Sequence, residues 1–174
     1  DRQSEAILTT LMEEAPKVLR NPADYDARAN IMWCAAQALN GLVGCGVPQD
    51  WTTHGIGHEL TALYGLDHAR TLALIWPCVM RHQLRRKRAK LLQYAERVWD
   101  LREGSEEDRI DGAIARTRTF FEALGVSTRL STYGVTAERI DDLVRALEAH
   151  GMTALGEKRE VTLEVSRRIL EEAM

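Results

Sequence analysis

The sequence predicts an all-α protein, a bundle of about seven or eight helices. Apolar residues recur at the helical period through most of the chain. Glycines, prolines and short capping residues punctuate those runs. Nowhere does apolar and polar character alternate over a useful strand length, which leaves room only for short extended pieces, as near Thr128–Ser131.

The elements follow in order. Ile7, Leu8, Leu11, Ala15, Val18 and Leu19 form one apolar stripe, and Asn21-Pro22 ends that helix. Asp24 caps a second helix that carries Ile31, Met32, Ala35, Ala36 and Leu39 as far as Gly41. Residues 41–50 (GLVGCGVPQD) hold three glycines and a proline and read as a loop. Thr53 is placed to cap a short helix from His54 to Tyr64, with Gly65 closing it. Asp67 caps the next helix, beginning at His68, which Pro77 is expected to kink or shorten. A helix runs from about Arg86 to Asp100. Ser105 with Asp108 resembles a capping box that opens a helix to Leu124. Two more are expected at Thr136–His150 and Thr162–Glu172.

Composition sets bounds on function. The 174 residues suit one domain, or two small ones, and 45% are hydrophobic, enough for a core. A net charge of −3 supports neither nucleic acid nor an anionic membrane as partner. Arg81–Lys90 carries six Lys or Arg but no interleaved aromatic residues, and reads as a solvated turn between helices. The apolar stretch Leu72–Met80 is too short to cross a bilayer. Three widely spaced cysteines, Cys34, Cys45 and Cys78, fit a reduced protein with free thiols, and no leader segment is visible, so a cytoplasmic location is expected. Asp1 leads straight into a helical pattern without an initiator methionine, as in a part of a longer protein.

Chemistry concentrates in the histidines. Three of five, His54, His58 and His68, are spaced H-x3-H-x9-H. His54 and His58 share one helix face, and the turn at Gly65 folds His68 back beside them. Imidazoles converging from two helices suit a borderline metal such as Fe²⁺ or Zn²⁺, while partly buried or surface histidines have the same spacing by chance. Gly55 and Gly57 each cost roughly 1 kcal/mol against alanine within a helix, so something is expected to approach the backbone there. Glu59 and Asp67 are candidate acceptors for the imidazole N–H groups, and Trp51 a candidate wall of a cleft. Trp33, Trp76 and Trp99 read as core or interface residues, and His82 and His150 as surface residues.

The run His54-Gly55-Ile56-Gly57-His58-Glu59-Leu60 through Gly65-Leu66-Asp67-His68 resembles the signature of the iron-containing alcohol dehydrogenases, more closely their NADPH-dependent butanol dehydrogenase and broad-range aldehyde reductase branch. Asn40-Gly41-Leu42, the segment Val47-Pro48-Gln49-Asp50-Trp51, residues 89–99 and Val165-Ser166-Arg167-Arg168-Ile169 extend the resemblance over essentially the whole chain. It implies a dehydroquinate synthase-like C-terminal helical domain occupying residues 1–174. By that resemblance His54 and His68 are ligands of a catalytic divalent metal, Fe²⁺ or Zn²⁺, and His58 is a proton-relay group near the substrate. Two further ligands, an Asp-x3-His pair, are expected upstream of residue 1. The pair Asp50 and His54 is not that one, because Asp50 follows the Pro48 loop. NADP(H) is expected to bind mainly to an N-terminal domain absent from this chain, since no glycine-rich phosphate-binding turn is present. The implied parent enzyme interconverts small aldehydes and primary alcohols as a homodimer, and this chain alone is expected to be inactive. The alternatives are a non-catalytic helical metal-binding or dimerisation module, or another metalloenzyme whose ligands all lie within the chain.

Overall fold

A computed structural model describes residues 1–174. It contains eight α-helices: α1 (Arg2–Arg20), α2 (Tyr25–Leu39), α3 (Thr52–Tyr64), α4 (His68–His82), α5 (Leu84–Arg97), α6 (Glu106–Ala123), α7 (Ile140–Ala149) and α8 (Leu163–Glu172). The only strands are two-residue pieces, β1 (Ala154–Leu155) and β2 (Val161–Thr162), paired antiparallel. The all-α expectation therefore holds. The extended piece lies at β1–β2, while Leu130–Tyr133 forms a 3-10 turn. No helix is long and apolar enough to cross a membrane.

The chain divides into two compact units. The first comprises residues Asp1–Pro48 and Ala89–Ala113. In it α1 and α2 pair, and Ala27, Cys34, Leu91, Ala95, Val98 and Ile110 are buried. Asp24 caps α2 by accepting from the Ala27 N–H at 3.0 Å. Ser105 and Asp108 form the reciprocal box, with the Asp108 N–H donating to Ser105 Oγ at 3.1 Å and the Ser105 N–H to Asp108 Oδ2 at 3.3 Å. The apolar stripe expected on α2 is not buried by this chain, with Met32 75% exposed and Leu39 87%, and Trp33, read as a core or interface residue, is 67% exposed. Periodicity reports which side is apolar, not what covers it.

The second unit, Gln49–Arg88 with Ile114–Met174, holds the larger core. Ile56 and Leu60 of α3, Leu74 and Ile75 of α4, Leu143 and Leu147 of α7, and Ile169 and Leu170 of α8 are all at most 1% exposed. Burying such side chains is worth about 1.5–3 kcal/mol each, which fixes how α3 and α4 lie together. Pro77 does not shorten α4, which runs on to His82. Pro77 is itself buried beside Leu74, Ile75, Cys78 and Val79, and this packing outweighs the one backbone hydrogen bond that proline removes. Gly65 closes α3 at φ 66°, a left-handed conformation that suits glycine. α5 starts at Leu84 and carries non-helical angles at Lys87, whose ammonium is drawn to Asp50.

Candidate metal centre

The α3–α4 hairpin brings the three histidines together. The ring centres of His54 and His68 stand 5.2 Å apart, those of His58 and His68 5.5 Å, and those of His54 and His58 6.2 Å. Two imidazoles that approach one cation at roughly 2.0–2.1 Å in tetrahedral array keep ring centres roughly 5 Å apart. The His54–His68 pair matches that spacing, and the donor chemistry fits. The other two ring separations are wider, and no three His, Cys, Asp or Glu side chains are grouped to hold a metal ion by themselves. A cation shared by His54 and His68 therefore needs donors beyond these.

His54 is half-buried, while His58 and His68 are exposed. Burial, reinforced by the charges of His68 and His58, holds the His54 imidazole below the usual histidine range. The neutral ring with a free nitrogen lone pair is thereby favoured at neutral pH. Trp51 packs edge-on against His54 with ring centres 4.7 Å apart and is itself 55% exposed, so it covers one side of that imidazole.

Asp50, not Thr53, anchors the helix that carries His54. Its Oδ1 accepts from the Thr52 N–H at 2.9 Å, and α3 begins at Thr52. Its Oδ2 meets Lys87 Nζ at 2.6 Å, and Lys87 also reaches Glu157 at 3.4 Å. Neither Glu59 nor Asp67 serves the cluster. Glu59, only 2% exposed, pairs through Oε1 with His150 Nδ1 at 2.7 Å, and Asp67 pairs with Arg70 at 3.1 Å. The Glu59–His150 pair and the Asp50–Lys87 link were outside the reach of sequence, since both join residues far apart in the chain through groups with no motif.

The two helical glycines have a physical reason. A Cβ on Gly55 would stand 3.1 Å from both Leu155 methyls, and one on Gly57 would stand 2.9 Å from Thr71 Oγ1. Both are close approaches that a larger residue would obstruct.

Residues 1–174 match the family model of the Fe-containing alcohol dehydrogenase family, C-terminal. The chain is 61% identical over 173 residues to the NADPH-dependent aldehyde reductase YqhD of Escherichia coli (strain K12), covering 99% of this chain and 45% of that protein. It is 35% identical over 154 residues to a probable NADH-dependent butanol dehydrogenase of Bacillus subtilis (strain 168), covering 87% of this chain and 40% of the relative. The solved substrate- and cofactor-free form of the E. coli aldehyde reductase superposes with a TM-score of 0.98 at 60% identity, covering 100% of this chain and 46% of that one. The chain belongs to the iron-containing alcohol dehydrogenase family and corresponds to that family's C-terminal part. It spans 40–45% of the length of these relatives.

Proposed function

We propose that this chain is the metal-binding half of an oxidoreductase that interconverts aldehydes and primary alcohols with NAD(P)H. The observation that carries the reading is the convergence of His54 and His68 from two helices at a spacing suited to one divalent cation, Fe²⁺ or Zn²⁺. A cation held there supplies Lewis acidity toward a carbonyl or alkoxide oxygen. His54 and His68 donate nitrogen lone pairs, and the depressed basicity of His54 suits that role. His58, exposed beside them, takes up or gives the proton of the hydroxyl group. Trp51 shields one side of the substrate's carbon chain. The remaining ligands and the NADP(H) site belong to an N-terminal half, and the working enzyme is a cytoplasmic homodimer. The exposed apolar residues Met32, Trp33 and Leu39 are in keeping with a surface that such neighbours cover.

Zinc titration calorimetry on the wild-type chain, His54→Ala and His68→Ala tests this. Complete four-ligand sites reach about 10–16 kcal/mol, so two imidazoles supply about 5–8 kcal/mol if ligands contribute equally. That corresponds to a dissociation constant of about 1 μM to 0.1 mM. Both substitutions are expected to abolish binding in this range. Nanomolar binding by the wild type would mean a complete site within the chain, and unchanged binding in His54→Ala would remove His54 as a ligand.

A further inference from the structure

Gly57, the residue before His58, approaches Thr71, three residues after His68, and neither bears a metal-ligating group. Thr71 is fully buried in the first turn of α4. Its hydroxyl donates to the carbonyl of His68 at 2.8 Å, a bond from the side chain back to the residue three earlier. The same oxygen lies where a Cβ on Gly57 would stand 2.9 Å away, with Thr71 Cβ at 3.3 Å. Gly57 sits in α3 between His54 and His58. One unbroken line of contact therefore runs from the α3 backbone between those histidines, through the Thr71 side chain, to the backbone of His68.

We propose that Thr71, seated on Gly57, is a positioning residue that sets the His68 imidazole against His54. The missing side chain at Gly57 lets the two helices approach, and the Thr71 hydroxyl ties the His68 peptide to that approach. This rests on the reading of His54 and His68 as metal ligands. Groups that orient ligands typically change metal affinity by about 10–100-fold when removed.

The experiment uses the full chain with Gly57→Ala, Thr71→Val, Thr71→Ser and the control His68→Ala. Three quantities are measured: folding by circular dichroism, Zn²⁺ affinity by calorimetry, and metal-free histidine ring signals by ¹H–¹⁵N NMR. Thr71→Val keeps the volume but loses the hydroxyl, and is expected to stay folded, bind Zn²⁺ about tenfold more weakly or worse, and shift the His68 ring signals while leaving those of His82, at the far end of α4, in place. Thr71→Ser keeps the hydroxyl and is expected to restore near-wild-type values. If Gly57→Ala does not fold, the two Thr71 variants decide. Folded Thr71→Val with wild-type Zn²⁺ affinity and unmoved His68 signals overturns the proposal. If the wild type and His68→Ala bind Zn²⁺ alike, the ligand reading fails instead, and the His68 ring signals of Thr71→Val still decide whether Thr71 positions that ring.

Discussion

Replacing Asp50 with alanine removes two interactions at the root of the helix that carries His54. The first is the bond from the Thr52 N–H at 2.9 Å, which acts as a helix cap and is worth about 1 kcal/mol. The second is the 2.6 Å contact with Lys87, whose partners are both well covered, at 15% exposure for Asp50 and 24% for Lys87. A charge-assisted bond in that setting contributes about 1.5–3 kcal/mol, below the 3–5 kcal/mol typical of breaking a fully buried pair, because Lys87 keeps Glu157 at 3.4 Å. The expected loss is therefore about 2–4 kcal/mol for Asp50→Ala, and about 1–2 kcal/mol for Asp50→Asn, whose amide oxygen still accepts from Thr52. Urea denaturation at pH 7, followed by circular dichroism, measures both. The pH dependence gives a second check. Burial raises the Asp50 carboxyl, but the bonds from Lys87 and Thr52 outweigh it and hold the group below its usual value. Its stabilisation is then fully present above the unfolded value of about 3.9 and is lost as pH falls through the lower folded one. The deficit of Asp50→Asn is expected to shrink toward zero in that acidic window. A loss under about 0.5 kcal/mol for Asp50→Ala, the ordinary range of surface substitutions, would refute this account of how α3 is anchored.

Three further outcomes are expected. Zinc binding weakens as pH falls, because bound imidazoles must be neutral, and the depressed His54 value delays that loss at this ligand; a dissociation constant unchanged between pH 7 and 5 would count against imidazole ligation. Burial pushes the Cys78 thiol up to about 11, so a thiol reagent at neutral pH labels exposed Cys45 in the native protein and reaches Cys78 only after denaturant is added, as peptide mass mapping will show. Glu59→Ala removes the buried carboxylate that His150 meets and costs about 1–3 kcal/mol by urea denaturation, whereas an unchanged midpoint would make that pair dispensable.

The features legible in advance were local ones. The caps at Asp24 and Ser105–Asp108, the left-handed stop at Gly65 and the shared face of His54 and His58 all depend on residues within four positions of one another. Such bonds form wherever the chain turns helical, so residue type and spacing suffice to read them. Gly55 and Gly57 were a special case: their cost in a helix announced a close neighbour, without saying that the neighbours are Leu155 and Thr71.

Tertiary structure decided what lies between distant segments. Thr53 has the chemistry of a cap, but Asp50 takes the anchoring role, because Lys87 and the Thr52 N–H both lie within its reach. Glu59 stands beside His58 in the chain, yet helical geometry turns it about 100° away to a buried position, where the exposed His150 meets it. Pro77 leaves α4 unbroken because the side chains around it are buried on folding. The sequence by itself determined the helices and the residues able to ligate a metal, since both follow from backbone hydrogen bonding and side-chain chemistry over a few residues. Only the tertiary structure decided the 5.2 Å approach of His54 to His68 and the close approach of Gly57 to Thr71, since such distances are set by how closely two helix backbones pack and no local pattern encodes them.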